Sequence, residues 1–338
     1  MSNTSPPAKP IAEMVERQAH GGDLDAAAQQ YAIPKADWLD LSTGINPVPY
    51  PIGHIPPEAW NRLPDTEAAA SLLEAARAYY GVPERATIVA SPGTQALIQC
   101  LPRLTPTGRV AVMGPTYTEH AHCWRGAGHA VIDAPVDGPL PDNRDTIVIV
   151  NPNNPDGARR DPAALAAHAR AGRLVVVDEA FADTDPALSV VGQAGKPGLI
   201  VLRSFGKFFG LAGVRLGFAI GSPAQLEALA EALGPWPVAG PTLTIGTLAM
   251  ADANWIDKAR RRLARDAARL DEVMAAWTGP AVGGTDFFRL YNTGEADLHS
   301  RLAAMGIWTR AFANYPNLIR LGLPRDDAGF ARLTAALN

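Results

Sequence analysis

Residues 203–218 read Arg-Ser-Phe-Gly-Lys-Phe-Phe-Gly-Leu-Ala-Gly-Val-Arg-Leu-Gly-Phe, and no other stretch of the chain says as much about its fold. A single lysine, Lys207, lies among aromatic and glycine residues, with Ser204 before it and Arg215 after it. Apolar surroundings disfavour the ammonium form, so they lower the pKa of a lysine and make its amine nucleophilic. Serine and arginine are residue types that hold a phosphate. The stretch therefore predicts an activated lysine beside a phosphate site, although a lysine capping a buried turn has the same local pattern.

The composition is that of a soluble globular protein. The chain has 338 residues, of which 47% are hydrophobic and 19% charged, and its formal net charge is −4. This length allows one large domain and a smaller one, and the charge gives no reason to expect nucleic acid or an anionic membrane as a partner. No apolar run has the roughly eighteen residues of a membrane span, and the N-terminus does not read as a secretory signal. Cys100 and Cys123 lack Cys-x-x-Cys spacing, which favours a reducing cytoplasm and no metal site.

The middle of the chain alternates short β-branched runs with alanine-rich helical stretches. Several of the runs are continuously apolar, as expected for strands buried on both faces of a mainly parallel sheet. This order predicts an α/β domain whose sheet is flanked by helices on both faces. The predicted strands are residues 87–90, 110–113, 130–134, 146–150, 174–177, 199–202 and 216–220, and the predicted helices between them are 95–104, 163–171 and 223–233.

The last quarter of the chain has a different pattern. A long charged helix is predicted at residues 255–277, and the segments after it read as a smaller α+β domain. We therefore predict an N-terminal segment, 1–45, that packs on the small domain and the active site, a large domain, 46–250, and a small C-terminal domain, 251–338. The small domain's predicted strands are 287–291, 308–310 and 318–321, with helices at 296–305 and 326–337.

Polar residues follow several predicted strands, at the edge where open α/β sheets bind ligands. Gly93 and Thr94 open a helix whose N-terminus can bind a phosphate, and Tyr117 can stack on a flat heterocycle. Asn154 can donate a hydrogen bond to a phenolate oxygen, and Asp178, directly after a buried strand, is costly unless it is paired. Taken singly, each also reads as an ordinary helix entry, packing contact, turn or cap.

Taken in order, these motifs resemble the fold-type I pyridoxal phosphate (PLP) enzymes of the aspartate aminotransferase superfamily, over essentially the whole chain. PLP is an electron sink for carbanions. The resemblance implies that Lys207 holds PLP covalently, Asp178 pairs with the pyridine nitrogen, Asn154 binds the ring hydroxylate and Tyr117 stacks on the ring. By the same resemblance, the phosphate is held by Gly93, Thr94, Ser204 and Arg215.

Within the superfamily, the chain resembles the branch of histidinol-phosphate aminotransferases and the threonine-phosphate decarboxylases of cobalamin biosynthesis. Residues 20–23, His-Gly-Gly-Asp, and 41–47, Leu-Ser-Thr-Gly-Ile-Asn-Pro, are similar to N-terminal substrate loops of the decarboxylases. Arg320 matches the arginine that clamps the amino-acid carboxylate, and Arg310 matches the arginine that binds the substrate phosphate. The substrate residues that the resemblance implies are His20, Gly21, Gly44, Asn154, Arg310 and Arg320.

Two departures from the aminotransferase pattern favour the cobalamin-pathway reading. Phe181 stands where many aminotransferases have a tyrosine that hydrogen-bonds the ring hydroxylate. Residues 62–65, Arg-Leu-Pro-Asp, stand where aminotransferases of this branch often have a Tyr-Pro that reaches the neighbouring subunit's cofactor phosphate.

The expected function is PLP-dependent decarboxylation of L-threonine O-3-phosphate to (R)-1-amino-2-propanol O-2-phosphate, by a cytoplasmic homodimer without a metal. An aminotransferase acting on histidinol phosphate or an aromatic amino acid is the alternative, because residue identities do not decide which bond at Cα breaks. A PLP-binding regulator without turnover is a further alternative from another class.

Overall fold

The computed structural model describes residues 21–294 and 297–337, and thirteen strands and twelve α-helices lie within them. The strands are β1 Leu39–Asp40, β2 Thr87–Ser91, β3 Arg109–Gly114, β4 Ala130–Pro135, β5 Thr146–Val150, β6 Leu174–Asp178, β7 Leu199–Ser204, β8 Gly217–Gly221, β9 Gly283–Thr285, β10 Phe288–Asn292, β11 Ile307–Trp308, β12 Arg310–Ala311 and β13 Leu318–Gly322. The helices are α1 Leu24–Tyr31, α2 Pro57–Asn61, α3 Thr66–Tyr80, α4 Thr94–Leu104, α5 Thr118–Gly126, α6 Pro162–His168, α7 Phe205–Phe208, α8 Pro223–Leu233, α9 Gly240–Ala251, α10 Ala253–Thr278, α11 Leu298–Ala304 and α12 Asp327–Leu337. No helix in this part of the chain is long and apolar enough to cross a membrane.

A seven-stranded sheet forms the centre of the large α/β part, in the order β2-β8-β7-β6-β5-β3-β4. Its strands are parallel except for β8, which runs antiparallel to both of its neighbours. Every residue of β5, β7 and β8 is buried, in keeping with their continuous apolar sequence. The mainly parallel sheet predicted from the sequence is confirmed.

Helices cover both faces of this sheet, as predicted. Within β5, Ile147 and Ile149 belong to one apolar cluster and Val148 to another, because successive side chains of a strand point to opposite faces. The first cluster packs against α3, α6, α9 and α10, and the second against α4, α5 and α8. The sheet is therefore the middle of three layers.

The C-terminal part is built around a separate antiparallel sheet in the order β12-β13-β10-β9. The N-terminal segment joins it, because β1 pairs in parallel with β11 and Trp38 packs edge-on against Trp308, with ring centroids 5.7 Å apart. The prediction of a smaller α+β part at the C-terminal end is thus confirmed. The domain boundaries at residues 45 and 250 remain predictions.

Some predicted elements differ from the structure. The helix predicted at 163–171 ends at His168, because Ala169 turns to an extended conformation and Gly172 takes a φ of +81°. The strand predicted at 308–310 is divided at Thr309, with β11 pairing with β1 and β12 with β13. Helices α1, α2, α3, α5, α7 and α9 were not predicted.

Candidate active site at the carboxyl ends of the strands

The parallel strands bring the predicted cofactor residues to one edge of the central sheet. Since β2, β3, β5, β6 and β7 run in the same direction, the residues at or just after their ends share that edge. The start of the antiparallel strand β8 lies there too. The residues collected in this way are Gly93, Thr94, Tyr117, Asn154, Asp178, Ser204, Lys207 and Arg215.

The segment between β2 and α4 packs against the segment that enters β8. A Cβ added to Gly93 would lie 2.6 Å from Nη2 of Arg215, and a Cβ on Gly217 would lie 2.5 Å from the main-chain nitrogen of Thr94. Gly93 has a φ of +82°, which a residue with a side chain rarely adopts. Only glycines permit this close approach, and it sets an arginine beside the free amides at the start of α4. Such a donor set suits a phosphate, and the assignment of these residues to a phosphate stays a prediction.

Lys207 lies in the one-turn helix α7, directly after β7. Its Nζ is 5.8 Å from the ring centroid of Phe181, which is itself buried. Burial, with the positive charges of Arg320 and Arg215, lowers the pKa of the Lys207 amine to about 8, although Asp178 opposes the shift. The amine is therefore activated by its surroundings, which is what its aromatic and glycine-rich sequence predicts.

Asp178 at the end of β6 has a partner that was not predicted from the sequence. Its Oδ2 lies 2.9 Å from Nε2 of His120, and its Oδ1 accepts a hydrogen bond from the amide of Ala180 at 3.0 Å. Asp178 is 4% exposed and His120 1%. The carboxylate is therefore held in one orientation. The available sequence signal was the three-residue spacing from Tyr117 to His120, which places both rings on one side of α5, 6.1 Å apart.

Tyr117 belongs to a small polar network at the start of α5. Its hydroxyl donates to Oε1 of Gln95 at 3.1 Å, and Nε2 of Gln95 donates to Glu119 at 2.8 Å. Burial, together with the negative charges of Glu119 and Asp178, raises the pKa of Tyr117 to about 12. The ring is therefore a neutral phenol, fixed at one end by Gln95 and at the other by the helix backbone.

The two predicted substrate arginines lie on neighbouring strands of the small sheet. Arg310 on β12 is paired in register with Arg320 on β13. The Arg320 guanidinium donates from Nη1 to Oδ1 of Asn154 at 2.5 Å and from Nη2 to the carbonyl oxygen of Ser42 at 2.6 Å. Its Nε is buried without a hydrogen-bond partner among the described residues. Burial, with the positive charge of Arg310, lowers the pKa of Arg320 to about 10.

The N-terminal glycines lie against the same site. A Cβ on Gly44 would lie 2.7 Å from Cδ1 of Phe288 and 3.0 Å from Cε1 of Phe181, and a Cβ on Gly21 would lie 2.3 Å from the carbonyl oxygen of Ser42. Gly44 lets the N-terminal segment approach the rings of Phe181 and Phe288, and Gly21 lets the turn before α1 approach Ser42. His20, predicted to bind substrate, lies outside the described residues.

The match to known proteins decides the family. The family model of aminotransferase class I and II matches residues 57–325 of the chain. The chain belongs to the aminotransferase class I and II family. The resemblance inferred from the sequence is thereby confirmed. The seven-stranded sheet and the close contacts at Gly93 and Gly217 are those of a member of this family.

Two relatives and one solved structure place this member of the aminotransferase class I and II family more closely. It is 49% identical to the threonine-phosphate decarboxylase of Pseudomonas aeruginosa over 326 residues, which cover 94% of this chain and 96% of that protein. It is 30% identical to a histidinol-phosphate aminotransferase of Desulfitobacterium hafniense, covering 92% and 94% of the two chains. The fold is shared with the histidinol-phosphate aminotransferase of Sinorhizobium meliloti, solved in complex with pyridoxal-5'-phosphate, at a TM-score of 0.78 and 19% identity, over 99% of this chain and 97% of that one.

Proposed function

We propose that this protein is a PLP-dependent decarboxylase that converts L-threonine O-3-phosphate to (R)-1-amino-2-propanol O-2-phosphate in cobalamin biosynthesis. The observation that carries the proposal is the 49% identity, over nearly the full length of both chains, to the threonine-phosphate decarboxylase of Pseudomonas aeruginosa. The identity to the histidinol-phosphate aminotransferase of Desulfitobacterium hafniense is 30%. The decarboxylase reaction therefore has the stronger support of the two reactions expected from the sequence.

The donor set at the sheet edge fits PLP. The amides at the start of α4, packed against Arg215 through Gly93, suit its phosphate, and the carboxylate of Asp178, oriented by His120, suits its pyridine nitrogen. Lys207, whose pKa is lowered to about 8, is the amine that would bind PLP covalently. In this proposal Tyr117 stacks on the ring, Asn154 binds the ring hydroxylate, and Thr94 and Ser204 complete the phosphate site. When bound, PLP accepts the electron pair of the bond that breaks at the substrate Cα.

The substrate has two anionic groups, and the site offers two arginines. Cross-strand neighbours in an antiparallel pair have Cβ atoms about 5 Å apart, so Arg310 and Arg320 can reach the two ends of a small molecule. The planar fork of arginine fits both carboxylate and phosphate oxygens. Arg320 is nearer to Asn154 and Lys207, and we assign it to the carboxylate; Arg310 is assigned to the phosphate.

The chain's own residues also account for the proton that the reaction needs. The bond from Cα to the carboxylate breaks, carbon dioxide leaves, and the electron pair that remains at Cα takes up one proton. We assign Lys207 as its donor, since an amine with a pKa of about 8 is easily protonated and deprotonated near neutral pH. Phe181 and Phe288, packed edge to face with centroids 5.0 Å apart, form an apolar wall that limits the access of water.

The test is an assay of L-threonine O-3-phosphate with purified, PLP-loaded protein, in the presence and absence of a 2-oxo acid. We expect carbon dioxide and an amine phosphate in equal amounts, with no requirement for the oxo acid. Turnover that depends strictly on the oxo acid would assign the protein as an aminotransferase instead. Binding of PLP without turnover of either kind would favour a regulator.

We also propose that the protein works as a homodimer in the cytoplasm. Large apolar side chains are exposed on α2, just after α2 and on the loop before α9, namely Trp60 at 67%, Leu63 at 67% and Trp236 at 55%. Burying such residues against a second copy removes apolar surface from water. Leu63 belongs to the segment that corresponds to the subunit-crossing Tyr-Pro of aminotransferases. Sedimentation of the PLP-loaded protein should give a dimer, and a monomer at micromolar concentration would contradict this proposal.

A further inference from the structure

The short segment from Leu39 to Thr43 joins the two strands that lead to the substrate arginines. The amide of Leu41 donates to the carbonyl of Trp308, two residues before Arg310, at 2.7 Å. The carbonyl of Leu41 accepts from the amide of Gly322, two residues after Arg320, also at 2.7 Å. A Cβ on Gly322 would lie 2.3 Å from the carbonyl oxygen of Thr43, so the segment is wedged tightly between these strands.

Ser42, at the centre of this segment, is completely buried and uses all of its polar groups. Its amide and its hydroxyl both donate to Oδ1 of Asp40, at 2.8 and 2.6 Å. Its hydroxyl oxygen accepts from the amide of Gly22 at 2.7 Å, and its carbonyl accepts from Nη2 of Arg320 at 2.6 Å. A buried serine with four such contacts sets the relative position of every group that it binds.

The Gly21–Gly22 turn and the Arg320 guanidinium therefore both contact Ser42. The close approach of Gly21 to the Ser42 carbonyl leaves no room for a side chain, and Gly22 has a φ of +90°. Both features indicate a turn that is fitted to Ser42 rather than one that only lies near it. The turn precedes α1, whose N-terminus is capped by Asp23, so the contact also fixes where α1 begins.

Asp40 contributes the negative charge of this arrangement. Arg310 and Arg320 are like charges on paired strand positions, and Arg310 disfavours the charged form of Arg320. The Asp40 carboxylate opposes this effect on Arg320, while its oxygen is held in place by Ser42. The charged groups that interact with the Arg320 guanidinium are thus Arg310, Asp40 and the Lys207 amine.

We propose that Ser42 is a positioning residue for substrate binding, which ties the Gly21–Gly22 turn to the arginine that binds the substrate carboxylate. This inference rests on the proposed function, because it takes Arg320 as the carboxylate-binding group. The serine hydroxyl holds the turn beside the substrate-binding residues, and the serine carbonyl holds the Arg320 guanidinium close to that turn. Loss of the hydroxyl frees the turn and leaves the amide of Gly22 without its acceptor.

The experiment compares wild-type holoenzyme with Ser42→Ala, Ser42→Thr and a control, Thr105→Ala. The control removes another hydroxyl hydrogen bond, from Thr105 to the carbonyl of Leu101 at 2.8 Å, at the far end of α4. For Ser42→Ala we expect KM for L-threonine O-3-phosphate to rise about tenfold and kcat to change less than about threefold, because the two hydrogen bonds of the buried hydroxyl, from Gly22 and to Asp40, are lost. Bound PLP, measured by its absorbance, should stay the same, and Ser42→Thr should restore KM to within about threefold of wild type.

A second measurement does not depend on turnover. Hydrogen exchange of the holoenzyme should show an amide at Gly22 that exchanges about tenfold faster in Ser42→Ala, since its acceptor is gone, and unchanged exchange in Thr105→Ala. An unchanged KM in Ser42→Ala, a parallel loss of bound PLP, or unchanged exchange at Gly22 would each overturn the inference. If wild type itself does not turn over threonine phosphate, the proposed function fails, and the exchange experiment still decides whether Ser42 holds the turn.

Discussion

Arg203 and Arg320 are both buried on β-strands, yet their surroundings are opposite. Arg203, 4% exposed at the end of β7, lies between two acids, with Nη1 at 2.7 Å from Glu179 and Nη2 at 3.1 Å from Asp183. Its guanidinium also lies over the ring of Tyr80, 4.4 Å from the centroid. Arg320, 6% exposed, donates only to neutral oxygens among the described residues, those of Asn154 and Ser42.

The pKa values follow from this difference. Burial works against the charge of Arg203, but Asp183 and Glu179 outweigh it and raise the pKa of the guanidinium above its ordinary value. For Arg320, burial and the neighbouring Arg310 lower the pKa to about 10, and Asp40 offsets only part of this. A buried cation is stable when the chain supplies its counter-charge. Arg203 is therefore a structural residue, whereas the charge of Arg320 is left for an anionic ligand.

The largest effect that tests this contrast is on stability. Arg203→Met should lower the free energy of unfolding by about 3–5 kcal/mol, because Glu179 and Asp183 would remain buried without their cation. Urea denaturation measures the change, and Arg103→Met, at an exposed site on α4, is the control. A loss below about 1 kcal/mol would remove the distinction between the two arginines.

Arg320→Met should have the opposite profile. We expect kcat/KM for L-threonine O-3-phosphate to fall at least about 100-fold, since the carboxylate loses its charged partner. The free energy of unfolding should stay the same or rise, because an apolar side chain of similar size replaces a buried charge without a paired acid. Steady-state kinetics and urea denaturation of the same preparation give both values. Arg325→Met, exposed just beyond β13, should change neither, and a strong destabilisation of Arg320→Met would contradict the ligand-directed role.

The smallest expected effect is on the pH dependence of Lys207. In PLP-free protein its amine should react with an acylating reagent with a midpoint near pH 8, because the neutral form becomes dominant as the pH rises through its lowered pKa. Arg320→Met should move this midpoint upward, since removal of a nearby positive charge makes protonation easier. Mass spectrometry of the labelled peptide follows the reaction, with the exposed Lys258 as internal standard. A midpoint that does not move in Arg320→Met would show that the charge of Arg320 does not affect the pKa of the Lys207 amine.

The strands that carry the cofactor residues could be predicted from the sequence because burial on both faces requires continuous apolar runs. Most of β5 and the first four residues of β7 are such runs, and the polar residues that follow lie at one edge of the sheet because parallel strands share a direction. Local sequence could not indicate the division at Thr309, since the two halves of the predicted strand pair with different partners, β1 and β13. Strand pairing depends on which other strand lies next to a segment in the fold, and a three-residue sequence does not specify that neighbour.

By itself, the sequence determined the family, the order of the motifs and the setting of Lys207 among aromatic and glycine residues. These properties depend on the composition and residue spacing of short stretches. Apolar neighbours in such a stretch desolvate a lysine, and glycines in it allow the backbone to approach other groups closely. Only the tertiary structure decided which groups complete them. His120 meets Asp178 across 58 positions of the chain, and Ser42 meets Arg320 across 278. Such partners are brought together by the layering of sheets and helices, so the difference between Arg203, paired with two acids, and Arg320, whose hydrogen-bond acceptors among the described residues are neutral, exists only in the folded molecule.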